Sequence, residues 1–180
     1  MRLKLALLAV AVCIAAAVAG ALALRATAGQ PPLEQARAAT AGAHTGVPAG
    51  YGLFTDAAGI ACIEMPPMPG MPAGAMGIHY VNGDLVGDHT VDPAHPEAVI
   101  YEPEKNGQLR LVGLEYVTIK ADWDAYHSSP PTLFGQPFNV TPSPNRYGLP
   151  PFYSLHAWIW KNNPEGMFAM WNPDVSCANA

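Results

Sequence analysis

Ala98-Val99-Ile100-Tyr101-Glu102-Pro103-Glu104-Lys105-Asn106-Gly107-Gln108-Leu109-Arg110-Leu111-Val112-Gly113-Leu114-Glu115-Tyr116-Val117-Thr118-Ile119 is the stretch whose reading decides the fold. Two runs rich in β-branched and aromatic residues, 98–102 and 109–119, flank Lys105-Asn106-Gly107-Gln108. Asn-Gly between two such runs is the strongest short-range hairpin signal, because both residues accept the positive φ that a tight turn requires. With Asn106 and Gly107 as the two loop residues, partner numbers sum to 213, so Tyr101 faces Val112 and Val99 faces Leu114. Side chains alternate across a strand. One face therefore carries Val99, Tyr101, Val112, Leu114 and Tyr116, a core face, and the other carries Ile100, Glu102, Glu104, Leu109, Leu111, Glu115 and Val117, a mixed one.

Outward from the hairpin, Ile78-His79-Tyr80-Val81 reads as a short strand, and the polar segment from Asp84 to Pro96 as a loop. Residues 128–151 hold seven prolines, which removes them from any hydrogen-bonded ladder and makes them a long loop. Tyr153 to Trp160 is the last strand, with Tyr153, Leu155, Ala157 and Ile159 on one face and Ser154, His156, Trp158 and Trp160 on the other. Upstream, Pro31-Pro32 followed by Leu33–Ala41 predicts one short helix. Tyr51 to Met76 shows no sustained period and reads as irregular chain around Cys62. The sum is an α+β, mainly β domain: an antiparallel sheet of about four strands with one N-terminal helix and long Pro/Gly-rich loops.

The 180-residue chain opens with Met1-Arg2-Leu3-Lys4, an apolar run from Leu5 to Leu24, and Ala26-Thr27-Ala28, which together read as a signal peptide over residues 1–28 or an N-terminal membrane anchor. Residues 29–180 then form a single exported domain, secreted or otherwise extracytoplasmic, touching membrane only through an uncleaved leader. Without Arg2, Lys4 and Arg25 the formal charge moves from −5 to −8. Such a surface repels phosphate backbones, so nucleic acid is excluded as a partner. Charged residues are only 13%, and all 19 prolines follow residue 28, yet every aromatic lies there too, which favours a packed, loop-rich domain over a disordered one. Two cysteines remain, Cys62 and Cys177, and an even count in an oxidising compartment reads as a disulfide, with a catalytic thiol as the competing reading.

Three stretches occur together: Gly74-x-Met76-Gly77-x-His79-Tyr80-Val81-Asn82; Asp92-Pro93-x-x-Pro96-Glu97-x-x-x-Tyr101-Glu102-Pro103 with Leu111-Val112-x-x-Glu115-Tyr116; and Leu155-His156-x-Trp158-x-Trp160-x-x-Asn163-Pro164-x-Gly166-Met167-Phe168-x-x-Trp171-Asn172-Pro173-x-Val175-x-Cys177. In these the chain resembles, over roughly residues 33–177, a family of exported bacterial proteins described as hypothetical, with a short helix ahead of the His-Tyr-Val-Asn strand. The resemblance implies export and this order of elements. It implies no activity.

His79, Glu115 and His156 each fall on a predicted strand, and two imidazoles with one carboxylate is a common recipe for a divalent metal with open positions. The same residues also read as satisfied structural histidines or as a metal-free acid–base pair. Met65, Met68, Met71 and Met76, just before His79, offer soft thioethers that suit copper, or apolar filler in a Pro-rich loop. Asp84, Asp88 and Asp92 with His89 and His95 fit a solvated acidic loop better than a calcium loop. Trp158 and Trp160, with Tyr80 nearby, suggest a stacking platform for a flat ligand, or a second core layer. No nucleophile elbow, P-loop, dinucleotide fingerprint or zinc-protease helix is present. Two functions therefore stand side by side: a structural or ligand-binding module of the cell envelope with a small-molecule or envelope partner, and a metal protein, either a copper handler or a small metal-dependent oxidoreductase.

Overall fold

The computed structural model describes residues 30–66 and 74–180; the leader, Met68 and Met71 lie outside the described residues. The elements in chain order are α1 (Pro32–Thr40), a 3₁₀ turn (Ala41–His44), β1 (Gly52–Leu53), β2 (Cys62–Met65), β3 (Gly74–Val81), α2 (Gly83–Val86), β4 (Ala98–Pro103), β5 (Leu109–Ile119), α3 (Lys120–Tyr126), β6 (Thr132–Leu133), β7 (Gln136–Pro137), β8 (Asn139–Thr141) and β9 (Phe152–Ala157). Seven strands form one antiparallel sheet in the order β1-β3-β4-β5-β9-β8, with β2 also pairing with β3; β6 and β7 make a separate two-stranded ribbon. The expected sheet of about four strands is thus its centre. The three additions, β1, β2 and β8, are two to four residues long and are held by their neighbours' backbone. Two of them lie in the stretch read as irregular chain, and β8 in the stretch read as pure loop, where its three residues fall between Pro137 and Pro142.

The hairpin forms as expected but with a different turn. Gly107, at φ 77°, donates to Glu104 O, and Glu104 donates to Gln108 O, so the loop is Lys105-Asn106-Gly107. Three loop residues make partners sum to 212 beside the turn, and Tyr101 faces Leu111, not Val112. Val112 is then an extra residue, a β-bulge, after which Ile100 pairs with Gly113 and Val99 with Leu114. The bulge restores the expected pairing at Val99 and exchanges two side chains: Leu111 joins Val99, Tyr101, Leu114 and Tyr116, while Val112 turns to the opposite layer. Its carbonyl accepts the Trp160 and Lys161 amides as the chain leaves β9.

Both sheet faces are covered. One carries the main core, with Tyr153, Leu155 and Ala157 of β9 beside the hairpin residues and Ala36 and Ala43 packed on them. The N-terminal helix is fixed there by Arg37 donating to Ile159 O, Trp160 Nε1 to Thr40 Oγ1 and Tyr101 Oη to Ala43 O. The other face carries Ala75, Ile100, Val112, Trp158 and Val175 under the C-terminal tail. Cys62 and Cys177 form a disulfide there, with Cα atoms 5.7 Å apart and a sequence separation of 115. The competing thiol reading is thereby removed. Closing so long a loop is worth roughly 4–5 kcal/mol in the chain-entropy account. Beside it, buried Glu102 accepts from Arg110, Lys161 and the Ser176 amide, which ties the tail to β4.

Candidate metal centre

On the tail-covered face, antiparallel pairing sets Val81, Ala98, Glu115 and His156 in one row across β3, β4, β5 and β9. The next row runs His79, Ile100, Gly113. Directly opposed residues share a face, so His79 and Glu115 point the same way across the intervening β4. Ala98 offers only a methyl group in that row, which leaves Glu115 free to reach toward His79. Gly113 makes room too: a Cβ there would lie 3.2 Å from Trp158 Cε3. The Trp158 ring occupies that space and stacks on His156, with centroids 5.9 Å apart and planes at 19°.

The structure brings the three expected ligands together. His79 Nε2 lies 3.5 Å from one Glu115 oxygen and His156 Nδ1 lies 3.7 Å from the other. The two imidazoles meet edge to face with centroids 5.9 Å apart. One donor atom from each residue lies within 4.8 Å of the others, the one such group of histidine, cysteine and carboxylate side chains among the described residues. Donors around a tetrahedral ion with bonds of about 2.0–2.1 Å sit about 3.3 Å apart, so the two imidazole–carboxylate distances are already close to the spacing of a coordination shell.

Burial keeps both imidazoles in their neutral form. Burial pushes His79 down to about 4 and His156 down to about 3, so both are neutral at physiological pH. Burial pushes Glu115 up, against the opposing pull of His79. Nδ1 of His79 and both ring nitrogens of His156 are buried without a hydrogen-bond partner. A buried histidine in a purely structural role ordinarily bonds at least one ring nitrogen to a carbonyl or carboxylate. Leaving such atoms unpaired costs roughly 1–3 kcal/mol each, and a bound cation removes part of that cost.

A cavity of about 270 Å³ opens beside the centre. His79 and Glu115 form its polar end, and Phe54, Ile63, Val117, Leu149 and Phe152 are among its apolar walls. Met76 reaches the cavity because of a second bulge: Ile63 pairs with Gly77 and Glu64 with Ala75, so Met76 is the unpaired residue. Its sulfur accepts from Tyr147 Oη at 3.6 Å. Tyr147 and Leu149 belong to a strap pinned by Arg146, which donates twice to the buried Asp56 carboxylate and once to Glu64 O. Sequence reading missed Phe54, Tyr147, Leu149 and Phe152, which come from loops and a strand end far apart in the chain; no local spacing marks them.

The other candidates are dispersed. Trp158 lies in the tail-covered layer, whereas Trp160 packs against the main core beside His44 and Tyr80 packs there against Tyr101. β9 ends at Ala157, so the two-residue alternation that put both tryptophans on one face does not continue. Met65 sits on β2 opposite Gly74, and among the described methionines only Met76 lines the cavity. In the acidic loop Asp92 bonds His95 and Asp88 caps Thr90, with no convergence on a common point. No protein-family model, curated protein or solved structure matches the chain, and its function has to be read from this centre and its cavity.

Proposed function

We propose that the chain is an exported, disulfide-stapled domain that holds one divalent transition-metal ion through His79, Glu115 and His156 and offers it to a small-molecule pocket. The supporting observation is the convergence of two neutral imidazoles and one carboxylate from three strands, with neither ring nitrogen of His156 hydrogen-bonded. Rigid strands suit a coordination site, since they hold ligands within a fraction of an ångström. Three protein ligands leave one open position on zinc and three on ferrous iron, the latter being the usual arrangement in iron oxygenases. His79 and Glu115 line the cavity and His156 does not, so the open positions face the pocket. That placement favours a small metal-dependent oxidoreductase or a metal-gated binding protein over a purely structural module. Copper is the second reading, on the strength of the Met76 thioether in the same cavity. The disulfide and the acidic surface fit an oxidising compartment outside the cytoplasm and no nucleic-acid partner.

Cobalt(II) titration tests the centre directly. The purified protein is expected to develop visible d–d absorption that saturates at one equivalent, and Glu115→Gln and His79→Ala are expected to lose it while remaining folded by circular dichroism. A folded parent protein with no saturable cobalt spectrum contradicts the proposal.

A further inference from the structure

We infer that the cavity beside the centre takes a small uncharged aromatic molecule carrying one hydroxyl group, a simple phenol, with the ring among the apolar walls and the hydroxyl at His79 and Glu115. The identity of the polar end rests on the metal-centre reading; the apolar end does not. Size comes first: a cavity of about 150 Å³ lined by aliphatic and aromatic groups accepts benzene, and this one, at about 270 Å³, has room for a substituted ring. Chemistry comes second. Phe54, Tyr147 and Phe152 stand in series along the cavity, with ring centroids 6.3 Å and 5.8 Å apart and planes inclined at 47° and 71°. Such tilted rings offer edges and faces to another ring, and the Met76 thioether is a favourable neighbour for one.

Charge comes third. Among the described residues no lysine or arginine lines the cavity, so in the metal-free protein a carboxylate or phosphate entering it would be stripped of water without a counter-ion. Among the described lining residues the side chains with polar atoms are His79, Glu115 and Tyr147, a small set that suits a ligand with one polar group. The strap carrying Tyr147 and Leu149 lines the cavity and is held by the Asp56–Arg146 pair, so this wall is in place before a ligand enters.

The test is calorimetry with p-cresol, toluene, benzoate and benzylamine on the purified protein, as metal-loaded and chelator-treated samples whose metal content is measured in parallel. p-Cresol is expected to bind one to one, at least tenfold more tightly than benzoate in the chelator-treated sample and than benzylamine in the metal-loaded one. Leu149→Trp and Val86→Phe fill the cavity from the strap and from the end of α2 respectively, and each is expected to weaken p-cresol at least tenfold. Retained p-cresol binding in chelator-treated protein supports the pocket independently of the metal. A metal-loaded protein that shows no saturable p-cresol binding overturns the pocket and leaves the metal centre standing. Equal affinity for benzoate in the chelator-treated sample, or p-cresol binding unchanged in both folded filled variants, also overturns it.

Discussion

Gly77 sits at φ +90°, and a Cβ there would stand 2.6 Å from Tyr101 O. Both facts demand glycine: side chains disfavour that backbone region, and the neighbour is backbone that cannot swing aside. The bulge at this residue is what aims Met76 into the cavity two residues before Ile78 and three before His79. Gly77→Ala is therefore expected to cost about 2–4 kcal/mol, read as a lower urea midpoint. Gly42→Ala, where nothing lies within 4 Å, is expected to change the midpoint little. Glu97 makes a second prediction at this scale. It is buried at 1% exposure and accepts the Val117 amide, and burial pushes its carboxyl up to about 8, with the Asp88 and Glu115 charges adding to the rise. A carboxyl raised in the folded state contributes stability that is complete below its unfolded value, about 4.3, and is lost as pH rises through the folded value. Urea midpoints of the parent are expected to fall relative to Glu97→Gln between pH 5 and 8. Parallel curves would show that Glu97 ionises without cost.

At the scale of elements, the hairpin shows what a sequence can carry. Alternation in 98–102 and 109–119 and the Asn106-Gly107 signal place both central strands and their antiparallel sense. Whether the turn uses two residues or three is decided by Gly107 alone taking positive φ, while Asn106 uses its side chain to bond the Gln108 amide. The error of one residue at the turn is cancelled by the bulge at Val112, and neither offset leaves a mark in local composition. The short strands β1, β2 and β8 were illegible for a related reason: their ladder bonds are supplied by β3 and β9, and their own residues have no alternating pattern to read. The strap between β8 and β9 makes its own prediction. Asp56 keeps only 4% side-chain exposure and loses its cation in Arg146→Ala. Removing one partner of such a pair leaves the other charge without its counter-ion. The strap's amides bond mainly to Asn145, within the strap itself, so opening should stay local. Hydrogen exchange at Tyr147 and Leu149 is expected to accelerate about tenfold or more in Arg146→Ala, with β4 and β5 protection unchanged. Uniform acceleration through the sheet would mean that the strap is not a separate unit.

Across the whole molecule, two sheet faces do two jobs. The face under the N-terminal helix is a continuous apolar core, whereas the face under the C-terminal tail interrupts its apolar residues with His79, Glu115 and His156 and leaves a cavity beside them. The three candidate ligands were legible because strand residues point alternately to two faces, so a histidine or glutamate on the less apolar face stands out. Their adjacency was not, because it depends on the order β3-β4-β5-β9 and on the small Ala98 between two of them. The disulfide closes the tail-covered side. Cys62→Ser/Cys177→Ser is expected to lower stability by about 2–5 kcal/mol, measured by urea unfolding, and to loosen the tail before the helix-covered core. The central claim is that His79, Glu115 and His156 together hold a metal ion. Its most direct test is elemental analysis of the protein, exported into an oxidising compartment and purified without chelator or affinity metal, beside His79→Ala/His156→Ala. Close to one equivalent of a transition metal in the parent and none in the folded double variant is the predicted result. A folded parent that carries no metal, and takes up none when zinc, iron(II) or copper is offered and excess removed, would contradict it.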